Sequence, residues 1–177
     1  MKRTVLTFGL ISGAISALTM LATVPFADRM GHSEVVGYTV IILSFLLVFF
    51  GVRSYRDNVG GGQVSFGKAF AVGILITLIS CAFYVATWEV LYFNFYPDFM
   101  DKYSAQVIGK LQTSGASAEA VQAKVAEMNK LKQMYKNPLF NVAMTFIEPF
   151  PVGLVITLIS AAVLRKKPQS QSVQAVP

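Results

Sequence analysis

The chain carries four long apolar runs that contain no charged residue, separated by polar segments. Since a helix needs about 20 apolar residues to cross a bilayer core, this pattern predicts four transmembrane helices. The last run becomes long enough once Glu148 and the uncharged residues before it are included in the helix. The predicted fold class is therefore all-α, an integral membrane bundle of four transmembrane helices. The apolar runs cover residues 4–27, 35–52, 69–88 and 149–164, and the predicted helices cover residues 4–27, 35–52, 66–96 and 138–164.

One sizeable polar segment, residues 97–137, separates the third and fourth predicted helices. Apolar residues recur there at intervals of three and four, which is typical of amphipathic helices. Ser117 is suited to cap the second of these helices, and Asn137-Pro138 to begin the fourth transmembrane helix. We expect an extracytoplasmic helical hairpin at 97–137 within a single membrane domain, residues 1–168, followed by a disordered tail at 169–177.

The composition agrees with a membrane protein, because 54% of the residues are hydrophobic and only 14% are charged. A soluble domain has about a quarter charged residues. The first apolar run is longer than the core of a signal peptide and no small-x-small cleavage site follows it, so we interpret it as a retained helix. Cys81, in the third run, is the single cysteine of the sequence, so a disulfide within the chain is excluded.

Short basic segments flank the predicted helices on one side of the membrane. They predict that both termini lie in the cytoplasm, because basic residues near helix ends stay on that side. The other side holds Arg29 and six lysines of the 97–137 segment. The basic residues on the predicted inner side are Lys2, Arg3, Arg53, Arg56, Lys68, Arg165, Lys166 and Lys167.

Small residues mark predicted helix contacts. Gly9 and Gly13 are four residues apart in the first helix, a spacing that lets another helix approach closely. We interpret this ridge as packing within the bundle, and the alternative is a dimer face. Gly73 and Gly153 lie in two nine-residue stretches, 72–80 and 152–160, that are identical at seven positions.

Inverted repeats of this kind occur in many transporters. Gly73 is five residues from Lys68, however, whereas Gly153 is twelve from Arg165. The two copies are therefore predicted to sit at different membrane depths. We interpret them as similar packing surfaces.

Two carboxylates, Glu89 and Glu148, lie within predicted transmembrane helices, where ionisable groups are candidates for function. Both fall in the outer part of the bilayer, near the short first loop with Arg29 and His32. These four residues form a candidate polar cluster, with three interpretations: an ion pair that fixes helix ends, a proton or cation site, or a metal site with His32. Next to Glu148, Pro149 and Pro151 predict a kink, since proline cannot donate a helical hydrogen bond.

No enzyme motif occurs in the sequence, so we predict no catalytic residue, no metal site and no cofactor. A triple glycine, residues 60–62, lacks the Gly-Lys-Ser/Thr of a phosphate loop and predicts a plain turn. The net charge of +6 is explained by the basic residues that flank the helices and by lysines on one helix. Nucleic-acid binding is therefore not predicted.

Four stretches of the sequence form a specific set of motifs: the basic N-terminus through Gly13 and residues 64–77, 96–103 and 148–167. Together they resemble the domain-of-unknown-function 4199 family of bacterial four-helix membrane proteins. This resemblance implies a multi-pass protein of the bacterial inner membrane, and implies no catalytic residue.

We expect a non-enzymatic structural or accessory component, whose partners are the lipid bilayer and a second copy or another membrane protein. The alternative is a small oligomeric transporter or channel that uses Glu89 and Glu148 for proton or cation coupling.

Overall fold

The computed structural model describes residues 1–24 and 34–166, and within them the chain is all-α, as predicted. Arg29, His32 and the predicted tail at 169–177 lie outside the described residues. The described part of the chain contains no strand, only one isolated backbone bridge between Val64 and Lys166. Its seven helices are α1 (Lys2–Thr23), α2 (Glu34–Asn58), α3 (Phe66–Asn94), α4 (Phe99–Thr113), α5 (Ala118–Tyr135), α6 (Pro138–Ile147) and α7 (Phe150–Leu164).

Three helical segments of the described chain are long and apolar enough to cross a membrane. They are Lys2–Thr23, Phe66–Asn94 and Pro138–Leu164, the last of which combines α6 and α7. The predicted span at 35–52 lies within α2 and is not among these three, so the fourth span remains a prediction. The helix α2 also continues six residues past the predicted end. Arg53 and Asp57 pair there at 3.6 Å with the four-residue spacing that stabilises a helix.

The chain divides into two compact units, and the single membrane domain at 1–168 stays a prediction. The first unit contains Met1–Phe83 and the described part of Pro149–Pro177, and the second is Tyr84–Glu148. The first unit therefore holds α1, α2, α7 and the beginning of α3. The second holds the end of α3 together with α4, α5 and α6.

In the first unit, α1 packs closely against α2 and α3. The Ser12 hydroxyl donates a hydrogen bond of 2.9 Å to the backbone oxygen of Ser44 on α2. A methyl group at Gly9 would lie 2.9 Å from Ile79 Cβ, and one at Gly13 would lie 2.6 Å from Phe83 Cγ. The glycine ridge therefore packs within the bundle, as predicted.

The helices α3 and α7 run antiparallel, since the Val64–Lys166 bridge joins the start of α3 to the end of α7. Gly73 faces Thr157, where a methyl group would lie 2.9 Å from the threonine Cγ2. Gly153 faces Thr77 in the same way. The two threonine hydroxyls are 3.0 Å apart and share a hydrogen bond. The contact is therefore reciprocal, with local two-fold symmetry.

In this antiparallel pair, Gly73 is level with Thr157 and Gly153 is level with Thr77. The two glycines therefore lie at different levels of the helix pair, while the membrane depth of the two copies stays a prediction. The interpretation of the repeat as a pair of packing surfaces agrees with the contact.

In the second unit, α4 and α5 pack against each other across a short turn. Gly115 occupies this turn with a φ of +77°, a conformation that favours glycine. The Ser117 hydroxyl accepts a hydrogen bond of 3.2 Å from the backbone N–H of Ala120, which confirms the predicted cap of α5. Asn137 caps α6 through a 3.0 Å bond from the N–H of Leu139.

The helical hydrogen bonding is interrupted between Ile147 and Phe150, where the sequence predicted a break. Pro149 and Pro151 have no N–H, so two carbonyl groups of the preceding turn lose their helical donors. Glu148 nevertheless keeps helical angles, with φ −66° and ψ −58°. The backbone angles of Pro149 are also helical, with φ −82° and ψ −26°.

We predict that Gly153→Ala destabilises the protein by about 1–3 kcal/mol, because the added methyl group overpacks the contact with Thr77 and Phe45. The matched control is Gly67→Ala in α3, where a methyl group would meet no atom within 4 Å. The control is expected to be neutral or slightly stabilising, since alanine favours helix over glycine. Denaturant unfolding in detergent, followed by circular dichroism, measures both. Equal stabilities would contradict the role of this glycine contact.

Candidate functional site

The C-terminal end of α3 presents three large side chains on one helix face. Tyr84, Trp88 and Tyr92 are spaced four residues apart, and residues with this spacing lie above one another along a helix. All three belong to the second unit. They face side chains contributed by the end of α5, by α6 and by Glu148.

Each of the three α3 residues has a partner, and the partners follow in reverse chain order. The Tyr84 hydroxyl donates to Glu148 Oε2 at 3.0 Å. Trp88 Nε1 donates to Asn141 Oδ1 at 3.1 Å. The rings of Tyr92 and Tyr135 lie 6.2 Å apart. We call these three pairs the aromatic–polar ladder, and it joins α3 to α5 and α6.

Asn141 is the most enclosed member of the ladder, with no solvent exposure at all. Its Oδ1 accepts a second hydrogen bond of 3.1 Å, from the hydroxyl of Thr145 one turn later on α6. Its amide nitrogen is buried and has no hydrogen-bond partner in the described part of the chain. Burying such a donor costs about 1–3 kcal/mol. The two bonds that Asn141 accepts have to offset this cost.

An aromatic cluster closes the ladder at its Tyr135 end. The rings of Trp88 and Phe99 meet edge to face with centroids 4.7 Å apart, and Tyr135 contacts Phe140 in the same way at 5.6 Å. This geometry is favourable for aromatic pairs. Burial raises the pKa of the Tyr135 phenol, and the charge of Glu148 raises it further. Tyr135 therefore stays neutral at physiological pH and acts as a packing side chain.

Of the candidate polar cluster, only Glu89 and Glu148 lie within the described residues. Glu148 belongs to the ladder through Tyr84. Glu89 Oε1 is buried and has no hydrogen-bond partner among the described residues. Arg29 and His32 lie outside the described residues, so the cluster of four remains a prediction. In the described part of the chain, no three His, Cys, Asp or Glu side chains are arranged to hold a metal ion.

Three members of this arrangement were not predicted: Tyr84, Asn141 and Thr145. A signal for the two α6 residues exists in the sequence, because Asn141, Thr145 and Glu148 follow the spacing of one helix face in an otherwise apolar segment. The hydrogen bond from Trp88 to Asn141 was not predicted from the sequence either.

We predict that Asn141→Leu shifts the fluorescence emission of the protein to shorter wavelength. Trp88 is the only tryptophan of the chain, so the signal comes from this site alone. The substitution removes the acceptor of its indole N–H and leaves the ring in apolar surroundings. Asn129→Leu is the matched control, because Asn129 is exposed on α5 in the same unit. Unchanged emission of Asn141→Leu in a folded protein would contradict the Trp88–Asn141 hydrogen bond.

Comparison with known proteins identifies a family but no activity. No curated protein and no solved structure matches the chain. A family model does match, over residues 7–166, and it therefore includes all of the ladder and all seven described helices except the first five residues of α1. The resemblance expected from the sequence is confirmed. The chain belongs to the family described as "Protein of unknown function (DUF4199)".

Proposed function

We propose that this protein is a non-enzymatic integral component of the bacterial inner membrane, with a structural or accessory role. It crosses the bilayer four times with both termini in the cytoplasm. The helices α4 and α5 form an extracytoplasmic hairpin that meets the lipid surface or another membrane protein.

The lengths of the helices support four spans. The 18 residues 35–52 of α2 carry no charge and come close to the roughly 20 residues that a span needs. The 29 residues of α3 extend about 43 Å at 1.5 Å per residue, which exceeds the roughly 30 Å of a hydrocarbon core. The aromatic end of α3 then reaches the membrane–water interface, where tryptophan and tyrosine are enriched.

The observation that supports a structural role is that polar side chains of the spans form hydrogen bonds between helices. Thr77 pairs with Thr157, and Trp88 donates to Asn141. Ser12 donates to the backbone of α2. Such bonds between membrane helices contribute about 0.6 kcal/mol each on average. A side chain committed to a neighbouring helix is not available to bind a substrate.

The hairpin of α4 and α5 is held together by its own contacts, which suits a docking element. Lys132 on α5 forms an ion pair with Asp101 on α4. Met100 and Met128 are buried, one on each helix. The outward surface retains three exposed lysines for a partner protein: Lys110, Lys130 and Lys136.

One observation favours a second function, a small oligomeric transporter or channel. Glu89 lies in the membrane-spanning helix α3 with Oε1 buried and without a hydrogen-bond partner among the described residues. Acids in such positions mark proton and cation pathways in many membrane proteins. Glu148, the other candidate for coupling, is already bonded to Tyr84.

We predict the membrane topology from this proposal, to be tested with single cysteines in a Cys81→Ala background. Ser114→Cys, in the turn between α4 and α5, is expected to react with an impermeant maleimide in intact spheroplasts. Asn58→Cys, at the end of α2, is expected to react only after permeabilisation. Both positions are exposed, so access to the reagent depends on the side of the membrane. Labelling of Asn58→Cys in intact spheroplasts would overturn the orientation.

We predict no proton or cation flux in proteoliposomes that contain the wild-type protein. A structural component has no conducting path, whereas the alternative function requires flux that Glu89→Gln abolishes. Glu119→Gln is the matched control, since Glu119 is exposed on α5. A pH-sensitive dye trapped inside the vesicles reports proton entry. Flux in the wild type that is lost in Glu89→Gln and kept in Glu119→Gln would replace the structural role with transport.

A further inference from the structure

The net charge of the protein belongs entirely to one of its two units. The first unit contains nine basic and three acidic residues, and the second contains six of each. The second unit is therefore neutral overall, and the first accounts for the +6 of the chain.

Within the first unit, four helix ends lie together. The contact of Phe8 with Gly51 places the start of α1 beside the end of α2. A short turn leads from α2 into α3, and the Val64–Lys166 bridge adds the end of α7. This region, called the basic end, carries Lys2, Arg3, Arg53, Arg56, Lys68, Arg165 and Lys166.

Few carboxylates balance these cations. Among the described side chains of the first unit, Asp57 is the only acid, and it contacts Arg56 at 2.7 Å and Arg53 at 3.6 Å. The hydrogen bond from Arg56 lowers the pKa of Asp57, so the carboxyl is ionised. The other five basic side chains are exposed, and none has an ion pair among the described residues. Most of the basic side chains of the basic end are therefore exposed without an acidic partner from the described part of the protein.

Helix stability does not account for this arrangement. Lys2, Arg3 and Lys68 lie in the first turns of α1 and α3, where no acidic residue occurs. A helix N-terminus carries a partial positive charge, so cations there are unfavourable for the helix itself. The dipoles of α1 and α3 therefore give no reason for these cations to stand at the helix starts.

The turn between α2 and α3 is open at its two glycines. Gly61 and Gly62 have positive φ angles of 61° and 81°, and a side chain at either position would meet no atom within 4 Å. The N–H of Gly62 bonds to the Arg56 carbonyl at 2.9 Å, and Val64 bonds to Lys166. The open turn is thus fixed between two of the basic residues.

We propose that the basic end binds the phosphate groups of anionic phospholipids in the leaflet that it faces. The inference rests on the proposed insertion of the protein in a membrane. Exposed cations with few internal carboxylates are complementary to an anionic lipid surface, and each basic residue near such a surface strengthens binding by about fivefold. The interaction weakens as salt is added, because exposed charges are screened.

The test compares phosphatidylglycerol with phosphatidylcholine on the full-length protein in detergent micelles, with the bound lipid counted by native mass spectrometry. The variant replaces Lys68, Arg165 and Lys166 by Gln. The backbone bridge of Lys166 to Val64 does not involve the side chain, so the fold is retained. The matched control replaces three exposed lysines of the second unit by Gln, which removes the same charge: Lys110, Lys130 and Lys136.

We expect the wild type and the control to bind phosphatidylglycerol in preference to phosphatidylcholine, and the basic-end variant to bind it roughly a hundredfold more weakly. A loss below tenfold, or an equal loss in the control, would overturn the proposal. Inorganic phosphate is tested as a competitor, and displacement of the lipid by phosphate alone would show a site for soluble anions instead.

Resistance of the protein to carbonate extraction from membranes is measured separately. Extraction of the wild type would refute membrane insertion and with it the proposed function. A protein that resists extraction but has no lipid preference would refute the lipid site alone.

Discussion

The first unit depends on the close approach of α3 and α7 at two glycines. In a bilayer no hydrophobic driving force brings apolar helices together, so association relies on close packing and on hydrogen bonds between helices. Gly73 and Gly153 supply the space, and the hydroxyl pair of Thr77 and Thr157 supplies the bond. The same contact positions α2, because Phe45 lies 2.9 Å from the position that a methyl group at Gly153 would occupy. One reciprocal contact thus fixes three of the helices that build this unit.

The two units differ in how their basic side chains are paired with acids, which a count of basic residues along the sequence does not show. Three of the six hairpin lysines pair with acids, in the pairs Lys102–Asp98, Lys124–Glu127 and Lys132–Asp101. At the basic end, only the two arginines beside Asp57 have such a partner among the described residues. The number of basic residues in the sequence does not distinguish these two groups. The structure separates basic residues that pair with an acid of the protein from those that face outward without such a partner.

The sequence predicted features that depend on neighbouring residues, and missed those that depend on distant pairs. The caps at Ser117 and Asn137 and the break near Pro149 are local, and all three are present. The bond between Trp88 and Asn141 joins positions 53 residues apart. Periodicity shows that each lies on a helix, but not which residue faces it. The repeated stretch combines both cases. Its packing role was predicted from the sequence, but which residues of the two copies lie level with each other depends on the partner helix.

The two acids of the predicted transmembrane helices show how far polarity alone indicates function. Glu148 accepts a hydrogen bond from Tyr84 and ends a stripe that begins at Asn141, so its presence follows from helix pairing. Glu89 is one residue from Trp88 yet has a buried carboxylate oxygen without a partner among the described residues. An unpaired polar atom in an apolar setting costs stability, and packing gives no reason to retain it. Of the two acids, Glu89 is therefore the one whose role structure alone does not explain, and a transport function would have to act through it.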